Sequence, residues 1–450
     1  MLLAPGVHAA VSEFTLGNGL KVLVKEDRRA PVVVTQVWYK VGSSYEYDGI
    51  TGISHALEHM MFKGTDKHPA GQFSRIISAN GGSENAFTGA DYTAYFQTLE
   101  KSRLEVSMEL EADRMRNLTL PPEEFEKEIK VVQEERRWRT DDEPQAYAQE
   151  VAMATAFQTS PYRQPIIGWM ADLEQMKVGE LQTWYRRWYA PNNAVLVVVG
   201  DVRPEAVRAL AEKHFGALKP EDVAAPQPRP EVEQAGLKRV TVQRPAELPY
   251  LIMGWKVPVL NDARAADGGV HEWEPYALDV LGGILDGGSS ARFASRLVRG
   301  SEVAAAISAD YSLGSRLGTL FTVDGTPAQG HDIASLEAAV RAQIEDLKQK
   351  LVEASELERV KAQVVSRDVY QRDSVFYQAM ILGVFETVGL PWQLTEEYVE
   401  RIKAVTAEQV REVAQRYFND DRLTVAVLDP LPIDPERPPR SAPGDMGHVR

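Results

Sequence analysis

The sequence predicts an α+β fold made of two homologous domains, each a two-layer unit of a mixed sheet and helices. Three observations lead to this prediction. Strand-like and helix-like stretches mix along the first half, a Pro-rich segment interrupts every periodic pattern near the middle, and a helix, turn and strand pattern recurs near the C-terminus. Together they indicate an internal duplication and not a helix bundle.

The elements of the first half follow in order along the chain. Asn18-Gly19, within FTLGNGLKVLVKED, predicts a tight hairpin turn, and PVVVTQVWYKVG predicts a buried strand. Apolar residues at helical spacing then predict helices over 54–62, 70–79 and 103–117, with a strand, TAYFQTLE, before the last of them.

The repeat joins the two halves. KVGELQTWYRRWYAPNNAVLVVVGD, which begins at Lys177, aligns with VTAEQVREVAQRYFNDDRLTVAVLD at a constant offset of 228. Glu180 then falls on Glu408 and Tyr189 on Tyr417. Both copies predict a helix, a turn and a strand, which is the pattern that a duplicated domain leaves.

These patterns set the expected domain boundaries. The first domain covers 13–218, a Pro-rich linker 219–236, the second domain 237–430 and a Pro-rich tail 431–450. Residues 1–12 are apolar and end in small residues. They are either the remnant of a trimmed signal peptide, which places the protein in the bacterial periplasm, or an irregular tail of a cytoplasmic protein.

Composition limits the kind of protein. The chain has 450 residues, 44% of them hydrophobic, which is enough for two or more cores. No apolar run approaches the roughly 18 residues that cross a bilayer, so we expect no membrane span. The net charge of −15 argues against a nucleic-acid partner. The absence of cysteine excludes disulfides and thiolate metal sites.

The stretch GISHALEHMMFKGT carries the first candidate chemistry. On a helix, His59 lies about 40° from His55, and Glu58 lies about 60° to its other side. Both imidazoles can therefore face one metal ion while Glu58 stands beside it as a base for water. The alternative is a solvated helix face. The offset of 228 places the two histidines on Gly283 and Gly287, so only the first half is expected to keep this chemistry.

A third ligand is expected from PPEEFEKEIKVVQEERRWR. Its prolines and first glutamates mark a helix start, and Val132 lies on its buried stripe. Glu128 and Glu135 lie about 20° apart on this stripe, and buried carboxylates need a cation or donors. Glu135 as metal ligand and Glu128 as the partner that orients an imidazole satisfy both needs. A charged surface helix whose glutamates meet lysines is the alternative.

These residues resemble the inverted-zincin metallopeptidases of the M16 family, which includes pitrilysin, insulin-degrading enzyme and the mitochondrial processing peptidase. VGSSYEYDGITGISHALEHMMFKGT is similar to the family signature. The resemblance implies one Zn²⁺ per chain with His55, His59 and Glu135 as ligands, Glu58 as general base and Glu128 as support. The ligand set favours zinc but leaves manganese or cobalt open.

The resemblance also implies where substrate binds. GGSENAFTGADYTAYF is similar to the edge strand on which family members bind a peptide as an added β-strand. Asn85, Ala86, Phe87 and Thr88 are therefore candidates for substrate contact. The activity implied is zinc-dependent endopeptidase cleavage of peptides.

One departure from the family bears on partners. Members of the family often supply from the second half an arginine and, seven residues later, a tyrosine near the scissile carbonyl. Here SRLVRGSEVAAAISADY has Arg296 and Arg299, but alanines stand at 304–306, and Tyr311 lies too far along. The chain is therefore expected to be the zinc-binding half of a heterodimer with a homologous zinc-less subunit. A processing peptidase for basic leader sequences and a non-catalytic structural subunit are the alternatives.

Overall fold

The computed structural model describes residues 10–224, 230–265 and 269–434. The strands of the first domain are β1 (Ser12–Thr15), β2 (Lys21–Glu26), β3 (Val32–Tyr39), β4 (Ser83–Thr88), β5 (Thr93–Glu100) and β6 (Ala194–Gly200). They form one sheet in the order β1-β2-β6-β3-β5-β4, in which β2 and β6 are parallel and the other neighbours antiparallel. This order leaves β4 at one edge.

Helices cover the inner face of this sheet and lead to the second domain. They are α1 (Ile53–Met60), α2 (Gln72–Ala79), α3 (Leu104–Asn117), α4 (Pro122–Arg136), α5 (Pro144–Ala156), α6 (Met170–Gln175), α7 (Val178–Trp188) and α8 (Pro204–Phe215). Short 3-10 turns occupy Ser43–Tyr45, Lys101–Arg103, Pro161–Arg163 and Pro191–Asn193. A π-helical turn, Arg137–Asp141, follows α4 directly.

The second domain has a five-stranded sheet. Its strands are β7 (Lys238–Pro245), β8 (Tyr250–Val257), β9 (Ala304–Asp310), β10 (Thr319–Pro327) and β11 (Leu423–Leu431). Its helices are α9 (Leu260–Ala263), α10 (Glu274–Asp286), α11 (Ile333–Gln349), α12 (Ala354–Gln371), α13 (Val375–Thr387), α14 (Leu394–Ala404) and α15 (Ala407–Tyr417), with a π-helical turn at Phe293–Val298. The strand order is β7-β11-β8-β10-β9.

The two sheets share one topology. The order β2-β6-β3-β5-β4 in the first matches β7-β11-β8-β10-β9 in the second, and each contains one parallel pair, β2 with β6 and β7 with β11. The remaining neighbours in both orders are antiparallel. The predicted fold class, two homologous mixed α/β domains, is therefore confirmed.

The predicted alignment of the repeat is wrong by one residue. The N-cap Lys177 donates its backbone N–H to Glu180, and the N-cap Thr406 donates its own to Gln409, so Glu180 corresponds to Gln409 and not to Glu408. Strands β6 and β11 agree with this shift, since Ala194 and Leu423 hold equivalent positions in the two sheets. A slip of one residue would exchange the two faces of a strand. Sequence similarity alone could not choose between the two registers.

The constant offset also fails toward the histidine motif. Tyr39 pairs with Ala194 as Trp255 pairs with Leu423, so Tyr39 corresponds to Trp255, 216 positions later. The offset of 228 therefore cannot be extended to the histidines of α1, and their predicted match with Gly283 and its neighbour at 287 does not hold. Loops of different length between the strands cause the drift.

The predicted elements of the first half form near their predicted bounds. The Asn18-Gly19 turn joins β1 to β2, with Gly19 at φ 88°. The helix predicted over 54–62 is α1, and that predicted over 103–117 is α3. The helix predicted from residue 70 begins two residues later, because Gly71 has a φ of 74° that a helix cannot include.

One helix of each domain packs against the sheet of the other domain. The outer face of the first sheet, which includes Trp38 and Val197, is covered by α13 of the second domain. The outer face of the second sheet, which includes Ile252 and Ala426, is covered by α5 of the first. The domains therefore share apolar cores in addition to the main core that each has on the inner face of its own sheet.

The described residues cover the predicted terminal segments and linker only in part. Most of the leader segment 1–12 lies outside the described residues, as do 225–229 of the linker and 435–450 of the tail. β1 already begins at Ser12, and β11 continues to Leu431, one residue into the predicted tail. In the described ranges, no helix has the length and apolar character that crossing a bilayer requires.

Candidate metal centre

Helix α1 presents both histidines and the glutamate of the motif from a buried position. His55, Glu58 and His59 are each less than a tenth exposed. The first turn of the helix is held by Glu46, whose carboxylate accepts the backbone N–H groups of Gly52 at 2.7 Å and Ser54 at 2.8 Å. Such a cap satisfies donors that a helix N-terminus otherwise leaves free, so the start of α1 is fixed.

Helix α4 crosses against α1 and brings in two carboxylates. Glu135 is fully buried, and its Oε2 lies 3.7 Å from Nε2 of His55 and 3.4 Å from Nε2 of His59. Glu128, one heptad earlier on α4, contacts Nδ1 of His59 at 3.0 Å. The two glutamates therefore lie on the same face of α4, as their spacing predicts, and both reach α1.

The donor set fits a divalent cation. His55, His59 and Glu135 offer ligand atoms that all lie within 4.8 Å of one another, and they form the one such group in the described part of the chain. Nε2 of His59 and Oε2 of Glu135 are buried and have no hydrogen-bond partner among the described residues, whereas Oε1 of Glu135 is paired with Arg139 at 2.9 Å. Unpartnered buried acceptors are costly, and a cation bound between them removes that cost. Two imidazoles and one carboxylate suit zinc with a fourth position open.

Charged neighbours determine the contacts and the protonation of the two ring nitrogens of His59. Glu128 contacts Nδ1, and Lys63 contacts the other oxygen of Glu128 at 2.6 Å. Burial lowers the pKa of His59, but the carboxylates of Glu128 and Glu135 outweigh burial and raise it to about 9. Burial, with the neighbouring His59, lowers the pKa of His55 to about 3. A cation that binds Nε2 would displace the proton there, while Nδ1–H keeps its contact with Glu128.

Glu58 stands apart from the three ligand candidates and faces a cavity. Its Oε2 accepts a hydrogen bond from the hydroxyl of Thr88 at 2.5 Å. Burial raises the pKa of Glu58 to about 7, although the Thr88 bond works in the opposite direction. A carboxylate with a pKa near neutrality can both accept and return a proton at physiological pH.

The cavity has a volume of about 770 Å³ and lies between the two domains. His55, Glu58 and Glu135 line it from the first domain, and Ser312 and Gly314 line it from the loop after β9 of the second. The Arg316 guanidinium of that loop reaches across to Asp91 and the hydroxyl of Ser44, at 3.1 and 2.8 Å. Both domains therefore form the walls around the metal centre.

The predicted substrate residues lie on β4, which pairs with β5 and with no other described strand. Ala86, Phe87 and Thr88 line the cavity, whereas Asn85 is outside its lining. Phe87 packs edge-on against Trp38 at 5.3 Å between ring centroids. The free edge of β4 faces the cavity beside Glu58, a position that suits an added peptide strand.

Sequence reasoning missed one residue of the site, Arg139. It contacts Oε1 of Glu135 at 2.9 Å and lines the cavity. The signal was available, because residues four apart on a helix are neighbours and an arginine follows Glu135 at that spacing. Arg296 and Arg299 do not line the cavity, and Arg296 contacts Gln343 and Asp346 instead.

Comparison with known proteins places this geometry in a family. The model described as Insulinase (Peptidase family M16) matches residues 21–169, and the model described as Peptidase M16 inactive domain matches 175–364. The chain belongs to peptidase family M16. The M16 resemblance of the sequence is therefore confirmed. The first match lies within the first domain, whereas the second begins at residue 175, before α7 of the first domain, and extends to residue 364 in the second.

M16 relatives are found among both curated proteins and solved structures. The chain is 32% identical over 423 residues to the zinc protease PqqE of Helicobacter pylori, covering 92% of each chain. It is 24% identical to the uncharacterized zinc protease YmxG of Bacillus subtilis, covering 93% of this chain and 98% of that protein. The crystal structure of a Helicobacter pylori protease is 30% identical, with a TM-score of 0.88, over 94% of this chain and all of the other.

The M16 fold also occurs in longer proteins. The periplasmic protease PqqL of Escherichia coli matches with a TM-score of 0.74 at 17% identity, over 96% of this chain but 49% of that one. At this identity the likeness concerns the fold alone. This chain therefore corresponds in architecture to one two-domain half of the longer protein.

Proposed function

We propose that the protein is a zinc-dependent endopeptidase. The observation that carries the proposal is the buried set of His55, His59 and Glu135, with Glu58 beside it at the wall of an interdomain cavity. A structural subunit has no need for unpartnered buried acceptors that face a cavity, and that disfavours the non-catalytic alternative. The names of the curated relatives, zinc proteases, support the same activity.

The residues of the chain divide the hydrolysis between them. Zinc, when bound by His55, His59 and Glu135, polarises the scissile carbonyl and makes the attacking water more acidic. The free edge of β4 holds the peptide in extended form. Glu58 accepts a proton as the water oxygen bonds to the carbonyl carbon, and it then gives that proton to the amide nitrogen as the carbon–nitrogen bond breaks. The products are a carboxylic acid and an amine.

Peptide cleavage by the purified chain tests this proposal. We expect zinc-loaded protein to cleave a quenched fluorescent peptide, and Glu58→Gln to lose about 10²–10⁴-fold in kcat while zinc affinity, measured by chelator competition, stays unchanged. Glu126→Gln, on the exposed face of α4, is the matched control and should match the wild type. Cleavage by Glu58→Gln at the wild-type rate would refute the role of Glu58.

We also propose that a homologous subunit without zinc ligands completes substrate binding. The support is that alanines occupy 304–306 at the start of β9, and that Arg299 is engaged by the backbone carbonyl of Ser289. Mixing the chain with a zinc-less family member from the same genome should lower KM for the peptide, and the pair should co-elute on size exclusion. Separate elution at micromolar concentration contradicts the heterodimer.

A periplasmic location is proposed from the apolar N-terminal stretch that ends in small residues. Expression of the complete gene, followed by fractionation and N-terminal sequencing, distinguishes the two alternatives. A trimmed N-terminus in the periplasmic fraction supports export, whereas an uncleaved chain in the cytoplasm refutes it. Mapping the cuts in a long basic peptide separates a processing peptidase, which cuts once, from a general endopeptidase.

A further inference from the structure

The charged groups around the cavity are mostly neutralised by each other. Its lining includes two arginines, Arg139 and Arg163. Arg163 donates to both carboxylate oxygens of Asp48 at 2.7 Å, which occupies one end of its guanidinium. Among the acids of the lining, Asp91 pairs with Arg316 and Glu150 with Arg136. Arg139 is the cavity arginine that contacts the metal-binding group itself.

Arg139 is held at the metal centre by the shape of the chain. Helix α4 gives way after Arg136 to the π-helical turn over Arg137–Asp141, and this turn carries Arg139. One terminal nitrogen of its guanidinium contacts Oε1 of Glu135 at 2.9 Å, on the carboxylate oxygen opposite to the one near the histidines. Turns of this type are frequent at functional sites.

The remainder of the Arg139 side chain faces the cavity. The side chain is 43% exposed, whereas Glu135 is fully buried behind it. A guanidinium has five N–H donors in a rigid fork, and the contact with Glu135 engages one terminal nitrogen. The other end of the fork is therefore available to an oxygen atom of a peptide that lies beside Glu58 and Glu135.

A donor near the scissile carbonyl would assist peptide hydrolysis in addition to the zinc. The carbonyl oxygen of the scissile bond gains negative charge as water adds, and a fixed cationic donor lowers the energy of that state more than the energy of the neutral peptide. In the described second domain, Arg296 is engaged by Asp346 and alanines begin β9, so the cavity receives no such donor from them.

We propose that Arg139 is a catalytic residue that donates to the scissile carbonyl oxygen as it becomes negative. This inference rests on the proposed peptidase function. The family resemblance assigned contact near the scissile carbonyl to an arginine and a tyrosine of a partner subunit. Here Arg139 of the chain itself takes that role, and the partner contributes to substrate binding. Arg139 then acts on kcat, and the partner acts on KM.

The test compares Arg139→Gln and Arg139→Lys with wild type in the full chain, each saturated with zinc. Arg137→Gln is the matched control, since Arg137 lies in the same π-helical turn but pairs with the exposed Glu134. We expect Arg139→Gln to lose about 10²–10³-fold in kcat with KM changed less than about threefold, as when one donor to a developing oxyanion is removed. Arg139→Lys should retain part of the rate, because it keeps the charge but not the fork.

Two further readouts exclude a purely structural role. Chelator competition measures zinc affinity, which falls if Arg139 acts only by orienting Glu135. Binding of a phosphinic peptide, which carries an anionic tetrahedral group, should weaken about 100-fold in Arg139→Gln. Binding of the matching amide peptide, measured in a Glu58→Gln background, should change less than about threefold.

The outcomes separate the two proposals. If zinc-saturated Arg139→Gln keeps wild-type kcat, or binds the phosphinic peptide as tightly as wild type, the role of Arg139 is overturned. If wild type binds zinc and the phosphinic peptide but cleaves nothing, the peptidase proposal fails, and the phosphinic-peptide comparison still decides the role of Arg139.

Discussion

Glu128 holds the His59 ring through one hydrogen bond, so its loss should weaken metal binding without removing a ligand. We expect Glu128→Ala to reduce zinc affinity about 10–100-fold, because the ring loses the partner that directs Nε2 toward Glu135. Chelator competition measures the change. Glu124→Ala, earlier on the same helix, serves as control, and equal zinc affinity in both variants would show that Glu128 does not orient the ring.

At the residue scale, local spacing predicted the ligand candidates, and tertiary contacts supplied what spacing could not. The wheel angles of His55, Glu58 and His59 needed only the helix. The hydroxyl of Thr88, a predicted substrate contact, donates to Glu58, a contact between residues that are 30 positions apart. No pattern within one helix encodes such a contact, and the cap of α1 by Glu46 was missed for the same reason.

The N-terminus of α1 depends on a close approach at Gly52. It has a φ of 84°, and a Cβ there would lie 2.4 Å from the carbonyl oxygen of Ile167. We expect Gly52→Ala to destabilise the protein by about 2–4 kcal/mol, since it combines left-handed strain with a clash against backbone. Urea unfolding measures it.

Gly49 provides the control for that substitution. Its φ is 102°, but a Cβ there meets nothing within 4 Å. Gly49→Ala should therefore cost only the conformational part, about 1–2 kcal/mol. An equal loss in both variants would mean that the contact with Ile167 is unimportant.

The carboxyl group that caps α1 predicts a pH dependence of stability. Burial raises the pKa of Glu46 from 4.5 to about 8, although the N–H groups of Gly52 and Ser54 work in the opposite direction. A folded-state pKa above the unfolded value means that the folded chain retains a proton that the unfolded chain releases. This contribution to stability is complete below about pH 4.5 and is lost as the pH rises through 8, with a slope of up to about 1.4 kcal/mol per unit.

Unfolding in urea between pH 4.5 and 9 tests the role of Glu46. The free energy of unfolding of Glu46→Gln should vary less with pH over this window than that of the wild type, whatever the absolute cost of the substitution. Parallel curves for the two proteins would contradict the raised pKa.

At the element scale, hydrophobic periodicity placed three helices of the first half, α1, α2 and α3, within two residues of their bounds but could not fix the register of the repeat. β6 is a nearly continuous apolar run and so is the first part of β11, and both faces of these stretches are buried. A strand buried on both sides looks alike at either register. The N-cap hydrogen bonds of α7 and α15 decide the register, and these bonds depend on Glu180 and Gln409, whereas a sequence comparison prefers the identical Glu408 beside Gln409.

Contact between the domains is closest where α13 crosses the first sheet. A Cβ on Gly383 would lie 2.1 Å from Cε2 of the buried Trp38 indole. We expect Gly383→Ala to lower the free energy of unfolding by about 1–3 kcal/mol, because the indole has no room to move. Thermal unfolding measures the loss.

Gly282, in α10, is the matched control. Its Cβ would make an ordinary contact with the Phe321 ring at 3.6 Å. Gly282→Ala should be neutral or stabilise by up to about 1 kcal/mol through helix propensity. If Gly383→Ala is equally harmless, α13 does not pack on Trp38 as closely as described.

The whole molecule shows what the sequence could and could not predict. Duplication and fold class were visible as a repeat and as the mixture of strands and helices. The exchange of α5 and α13 between domains was not, because the patterns that define a helix do not say which sheet it covers. Both helices contain small residues, such as Ala148 and Ala379, that let them lie close to the partner sheet, and no local rule distinguishes these from residues that face their own domain.

The packing of α5 and α13 on the sheet of the opposite domain also affects folding during translation. All six strands of the first sheet have been synthesised by Gly200, yet Val195, Val197 and Val199 on its outer face stay uncovered until α13 leaves the exit tunnel. The nascent first domain therefore exposes an apolar valine surface during nearly half of translation. Synthesis that stops before Val375 should yield a fragment that chaperones retain, and supplying the second half in trans should release it.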